Sequence, residues 1–346
     1  MMMKLYIRSA SAISPQQTFG DVPFLAETIV YDTPRLAAIE PDYKPFLDPK
    51  LSRRMSRVIK MGVAAAKDSL QQANVTMPDA IITGTAYGCV EDTTIFLTRI
   101  IEQEEEMLPP TAFIQSTHNT VAAQIALMLQ CHAYNNTFVH KSFSFESALM
   151  DAAMLFAENE ASTILVGGID EITDANYAIF GRFDTYKKGD FTNTDLFSVD
   201  SPGTIAGEGA AFFVLSNEAS AGDIACLDAF QTFYKPVDIE KDVTSFLAAN
   251  AVSLADIDLI ISGKNGDVET DPPLDQLENS LFQNNQIAHY KHLCGEYPTA
   301  SSFALWMAAN VVKNGTLPDS PVVIKKVLIC THYQNKYWSL MLVSAC

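Results

Sequence analysis

The sequence predicts an α/β fold. Short apolar runs alternate with longer runs whose apolar residues recur at helical spacing. The alternation occurs in two successive series, before and after Asn217–Gly222. Several apolar runs are entered or left through glycines, as in GTAYG, LVGGIDE and GEGA. Strands separated by helices imply βαβ units and sheets covered by helices.

The first series opens with a strand over Lys4–Ser14, followed by a polar, proline-containing stretch from Pro15 to Lys50. Ser52–Val75 reads as a helix, with Met55, Val58, Ile59, Gly62, Val63, Ala66 and Leu70 on its apolar stripe. Ala80–Gly88 is a strand running into a glycine turn. Thr93–Glu106 is a helix with a solvated acidic end, the EQEEE run Glu102–Glu106. His118–Cys131 is an apolar helix, Tyr134–Ser142 a strand, and Phe145–Ala161 a helix with small residues on a buried face. Strands follow at Ser162–Thr173 and Gly207–Glu218. The second series reads strand (Ala225–Tyr234), helix (Val243–Val252), strand and loop (Asp256–Gly266), helix (Pro272–Phe282) and helix (Ser301–Gly315), the last closed by its glycine. Two strands end it, Val327–Tyr333 and Ser339–Ala345. No low-complexity linker separates the series, so two halves, 1–217 and 218–346, are expected from an old duplication.

Composition narrows the function. The 346 residues are 48% hydrophobic and 18% charged, a globular balance. The formal net charge of -18 argues against nucleic acid and against an anionic membrane surface, both of which need clustered Lys and Arg. No apolar window is long enough to span a bilayer, and the N-terminus has no signal-peptide pattern. The six cysteines form no CxxC and no zinc-ligand spacing, so a reducing cytoplasm and no metal or cofactor are expected.

The strongest motif is FSVDSPGTIAGEGAAFFVL (Phe197–Leu215), preceded some 40 positions earlier by LVGGIDEIT. Its glycines allow close backbone approach, and its Glu can satisfy backbone donors near the sheet. This stretch resembles the F-x-x-x-R-x-G-x-x-x-G-E-G-A pattern of β-ketoacyl synthases, with Pro202 as one departure. Further segments resemble that family in order: Ser52–Val75 its opening helix, GTAYGCVEDT its glycine turn, His118–Cys131 its interface helix, Tyr134–Ala157 its nucleophile strand, elbow and helix. The resemblance implies a thiolase-like fold, with two pseudo-duplicated βαβαβαββ halves in an α-β-α-β-α layered core.

Such condensing enzymes need a Cys nucleophile at a helix N-terminus and two His donors for the developing negative charge. The resemblance places Ser142 at the Cys position, or Ser144 in a register two residues on. It places Lys264 and Glu296 at the two His positions and matches Lys291 to the family's Lys. The glycine-rich gate loop is replaced by Thr331–Trp338, which has no glycine and looks shorter. Lys264 and Glu296 are expected to pair across the vacated pocket, since an unpaired buried charge is costly. Ser142 reads as a packed polar residue or as an acyl acceptor, the latter needing a base that His140 does not supply. Cys89 and Cys294 are secondary nucleophile candidates, weighed against core cysteines. His118, His132, His289, His292 and His332 read as surface or structural.

With fold motifs kept and catalytic residues lost, the chain resembles the degenerate partner subunit called a chain-length factor. Such subunits pair with an active ketosynthase and shape an acyl tunnel in polyketide, aryl-polyene or fatty-acid-like synthesis. The resemblance implies a heterodimer, or alternatively a homodimer, with an interface around His118–Cys131 and Asn136–Lys141. Phe113, Phe143 and Phe145 are the tunnel candidates. An acidic acyl carrier protein is expected to dock on the partner rather than here. The rival readings are an acyltransferase using Ser142 or a relocated Cys, a homodimeric acyl-binding scaffold, and a structural remnant that only stabilises a larger assembly.

Overall fold

The structure is a computed structural model that describes residues 4–108, 110–318 and 320–346. Its first half runs β1 (Leu5–Ile13), α1 (Pro49–Ser52), α2 (Arg57–Gln72), β2 (Ala80–Gly84), α3 (Val90–Glu102), α4 (Pro110–Gln115), α5 (Thr120–Leu129), β3 (Tyr134–Phe138), α6 (Ser144–Ala157), β4 (Thr163–Asp170), α7 (Asp174–Gly181) and β5 (Gly209–Ser216). The second half runs β6 (Ala225–Tyr234), α8 (Ile239–Ala249), β7 (Leu259–Ser262), α9 (Pro272–Asn279), β8 (Gln286–His289), α10 (Lys291–Cys294), α11 (Ser301–Asn314), β9 (Lys326–Tyr333) and β10 (Tyr337–Ser344).

The strands form one sheet in the order β3-β2-β4-β5-β1-β6-β10-β9-β7-β8. Outward from the centre, each half lays down its first, fifth, fourth, second and third strand. Inner pairs are antiparallel and outer pairs parallel in both halves. The repeat that sequence showed only as element order is therefore explicit in topology. The halves meet where β1 pairs with β6 over three residues, Leu5↔Leu227, Tyr6↔Cys226 and Ile7↔Ala225.

Strand alternation builds the layers. Ile82, Val166 and Phe213 face inward against Phe145 and Leu149 of α6. Their neighbours Ile81, Leu165 and Phe212 face outward against Ile59 and Val63 of α2 and Ile125 of α5. In the second half, Ile261, Ile329 and Met341 join the inner cluster, while Ile260, Leu328 and Leu340 pack under Phe246 of α8 and Leu277 of α9. The layers are helix, sheet, helix, sheet, helix, as the resemblance implies, with the sheets continuous at the β1–β6 seam. Both α6 and α11 lie in the middle layer. That position explains why α11 buries nearly its whole surface and is rich in alanine. Gly315 ends it in a left-handed conformation, φ 76°.

Three features depart from the sequence reading. The strand expected over Tyr134–Ser142 stops at Phe138 and gives way to a tight helical turn, Lys141–Phe143. The edge strand β8 and the short α4, α7 and α10 were not anticipated. Cys226 and Cys346 form a disulfide (Cα–Cα 5.6 Å), whereas the other four cysteines are free and buried. Spacing gave no sign of this pair, because sheet register, not sequence distance, brings the last residue beside β6.

Candidate functional site

The GEGA motif organises the site. Glu208 is buried and accepts from Ala38 N (2.8 Å), Ile172 N (3.0 Å) and the Arg57 guanidinium (2.6 Å). It thus fills the backbone-satisfying role that sequence assigned to it. Gly207 allows close approach: a Cβ there would lie 2.0 Å from the Cys294 carbonyl oxygen. The contact lets Glu296 N donate to Ile205 O (2.8 Å) and Gly207 N donate to Glu296 O (3.1 Å). The motif therefore positions Glu296.

Glu296 is 7% exposed and Lys291 2%. Lys291 Nζ lies 2.5 Å from Glu296 Oε1, and Asn265 Nδ2 donates to Oε2 at 2.9 Å. Burial alone pushes the Lys291 ammonium down, but Glu296 outweighs it and holds the group above its ordinary value. The expected Lys264–Glu296 bridge does not form. Lys264 instead pairs with Asp275 on α9, at the edge of the site. Two local facts explain the exchange. The single turn of α10 carries Lys291 back toward Glu296, five residues on. Asp271, meanwhile, accepts from Asn265 N (3.0 Å) and Gly266 N (2.7 Å), fixing the loop with Asn265 inward. Asn265 is the residue the sequence reading missed; it adjoins Lys264, so a one-residue change in register would have named it.

Ser142 sits in the turn before α6, 5% exposed, with no hydrogen-bond partner for its hydroxyl among the described residues. Ser144 closes that turn, its hydroxyl donating to Lys141 O (2.6 Å) and accepting from His140 N (2.8 Å). His140 Nδ1 is 3.4 Å from Ser147 Oγ, so the ring is turned away from Ser142, as expected. Glu146, one helical turn on, is buried with one oxygen accepting from Ser339 Oγ (2.7 Å), and burial raises its carboxyl above the usual range.

An open pocket of about 900 Å³ leads to Glu296 and Asn265, past Tyr186, Thr204, Asp267 and Tyr333. Ser142 is not among its lining residues. Tyrosines crowd it: Tyr87 and Tyr333 hydroxyls are 3.3 Å apart, and the Tyr177 and Tyr186 rings stack at 4.9 Å. The segment that replaces the glycine-rich loop is a tight hairpin. Tyr333 pairs with Tyr337, and Gln334 and Asn335 take left-handed φ of 54° and 49°. His332 is buried there, its ring tilted against Trp338 with centroids 4.9 Å apart.

Beside the pocket, Asp170 accepts from Thr85 Oγ1, Ala86 N, Tyr87 N and Thr299 Oγ1, joining a first-half turn to the second half. Burial, opposed by these bonds, leaves its carboxyl at about 6. Lys187 is buried too and donates to Val199 O (2.9 Å) and Ser201 O (2.6 Å). A cation thus reaches the loop where the family motif has Arg and this chain has Ser201. Cys89 and Cys294 are fully buried and burial pushes both thiols up, the opposite of a reactive thiolate. Phe145 packs in the central core on Phe213 (5.7 Å), whereas Phe113 is exposed on α4.

Residues 33–186 match the family described as beta-ketoacyl synthase, N-terminal domain. Residues 33–186 thus resemble β-ketoacyl synthases, on a chain whose fold is thiolase-like. A curated relative, 3-oxoacyl-(acyl-carrier-protein) synthase 2 of Synechocystis sp., is 24% identical over 190 residues, 52% of this chain. The aligned part spans about half that relative's length, 46%. Among solved structures, the ishigamide ketosynthase/chain length factor superposes with a TM-score of 0.80 at 16% identity, covering 100% of both chains. A β-ketoacyl synthase from Burkholderia phymatum gives 0.80 at 15%, again over 100% of both. The ketosynthase ApeO in complex with its chain length factor ApeC, from Xenorhabdus doucetiae, gives 0.80 at 14%, covering 99% of this chain and 98% of that one. At these identities the likeness speaks for the fold of this synthase-like chain. No helix among its described residues is long and apolar enough to cross a membrane.

Proposed function

We propose that this synthase-like chain is a non-condensing subunit, of the chain-length-factor kind, that pairs with an active ketosynthase and helps to shape its acyl channel. The observation that carries the reading is the buried Lys291–Glu296–Asn265 network. A condensing site needs neutral donors free to turn to a developing oxyanion. Here a carboxylate, already holding its cation, stands in that place. Ser142 has neither a base nor an open approach from the pocket. In this reading residues 1–217 carry the vacated nucleophile turn and residues 218–346 the vacated histidine segments.

Charge distribution supports a partner on the first half. Residues 107–145 contain no Asp, Glu or Arg and one Lys, Lys141. At the chain's average of 18% charged, such a stretch would carry about seven charges. It includes α4, α5 and β3, with exposed Phe113, Ile114, Leu127, Tyr134 and Val139, and β3 is an open sheet edge. Depletion of charge with exposed apolar and aromatic residues is the signature of an interface core. The structural relatives solved as ketosynthase/chain length factor pairs support the same arrangement. Acidic carrier protein would then dock on the partner, away from this chain's net charge of -18. Sedimentation velocity of the chain co-expressed with a ketosynthase tests the pairing: a stable 1:1 complex is expected, and a chain that stays monomeric at micromolar concentration beside the synthase contradicts it.

A further inference from the structure

Helix α6 packs against β2, β4 and β3. The outer face of α6 is left uncovered. It forms one side of a groove of about 360 Å³ lined by Phe138, Phe143, Met150, Met154, Phe230 and Thr232. Met150 and Met154, one turn apart, are 42% and 53% exposed. Methionines and aromatic rings are adaptable, high-payload contact groups.

We infer that this groove receives one bulky apolar side chain, flanked by a basic residue, from the partner ketosynthase. The inference rests on the pairing proposed above. Three observations assign the occupant. The groove begins at Phe138, the last residue of the open edge strand β3, so it continues the uncharged face. Its mouth carries Asp151, held by Tyr134 OH at 3.0 Å, as an acceptor for a cation. The other titratable groups lining it are His140 and the inner, buried Glu146, whose carboxyl burial keeps toward its neutral form. A second copy of this chain fits less well. A two-fold interface places the same surface on both chains; the groove lining holds no Lys or Arg to face Asp151, and both chains carry a net charge of -18. An apolar anchor in a pocket ringed by near-neutral contacts is the form that interface hot spots take.

The test measures the affinity of the full chain for its co-expressed ketosynthase by titration calorimetry at pH 7.5. Met154→Arg is expected to weaken the complex at least roughly 30-fold. Met150→Arg serves as the second variant, and circular dichroism confirms that both fold. Val237→Arg, at a fully exposed loop position, is the control and should bind as wild type. Asp151→Asn should weaken binding several-fold and reduce its salt dependence. Wild-type affinity in both Met variants overturns the groove's role and leaves the heterodimer standing. A wild-type chain that binds no ketosynthase overturns the heterodimer, and this inference with it. A self-dimer abolished by Met154→Arg would make a second copy the occupant and also overturn the inference.

Discussion

Lys291 and Glu296 are both almost fully buried, so each is tolerable only because the other is there. Removing one partner strands a charge, whereas removing both does not. Glu296→Ala is expected to destabilise the chain by roughly 3–5 kcal/mol in urea unfolding, and Lys291→Met/Glu296→Leu by much less. A single variant as stable as wild type would show that the pair is solvated in solution. The buried carboxylates give a pH signature. Burial raises Asp170 to about 6 and Glu171 to about 8, above the ordinary values near 4. In the folded chain both hold protons that the unfolded chain has released. Their stabilising contribution is therefore full below about pH 4 and is lost as pH rises through 6 and then 8. These two groups make stability fall from pH 5 to pH 8. Glu171→Gln should flatten the upper part of that slope; an unchanged slope would place the titration elsewhere.

Among the elements, the β9–β10 hairpin is where local preference and structure conflict. Two non-glycine residues in succession hold left-handed φ, each at a cost of about 1 kcal/mol. Asn335 repays this in part by accepting from Trp338 Nε1 (3.2 Å), while Gln334 makes no side-chain hydrogen bond among the described residues. Gln334→Gly is expected to raise stability by about 1 kcal/mol by thermal melting; a loss would mean that the Gln side chain has a role in solution. Long periodic elements such as α2, α6 and α11 were legible because their stripes meet sheets. The edge strand β8 was not: its four residues are half-buried, with no alternation to mark it. The expected salt bridge failed for a related reason. Sequence matched Lys264 and Glu296 to facing family positions, but the competing partners, Asp275 and Lys291, depend on how α9 packs beside the site and on the single turn of α10. The Glu208 role was legible, because it follows from donors that any glycine-entered strand leaves nearby.

The whole molecule is two copies of one five-strand plan sharing a three-residue seam, and the disulfide sits beside that seam, at Cys226. It closes a loop of 120 residues, which in the chain-entropy picture is worth up to roughly 5 kcal/mol. Reductant, or Cys346→Ser, should therefore lower stability by a few kcal/mol, with six titratable thiols after reduction and four before. Equal stability with and without reductant would mean that the bond does not form in solution. The duplication also explains the division of labour proposed here: one edge of the sheet, β3, is free and uncharged for pairing, and the site between the halves is stabilised by ions instead of being kept free for chemistry. The most direct measurement is the intact mass of the purified chain after exposure to acyl carrier protein thioesters, with and without a co-expressed ketosynthase. The expected result is an acyl adduct on the ketosynthase and none on this chain. An adduct mapping to Ser142, or to any cysteine of this chain, would contradict the non-condensing role.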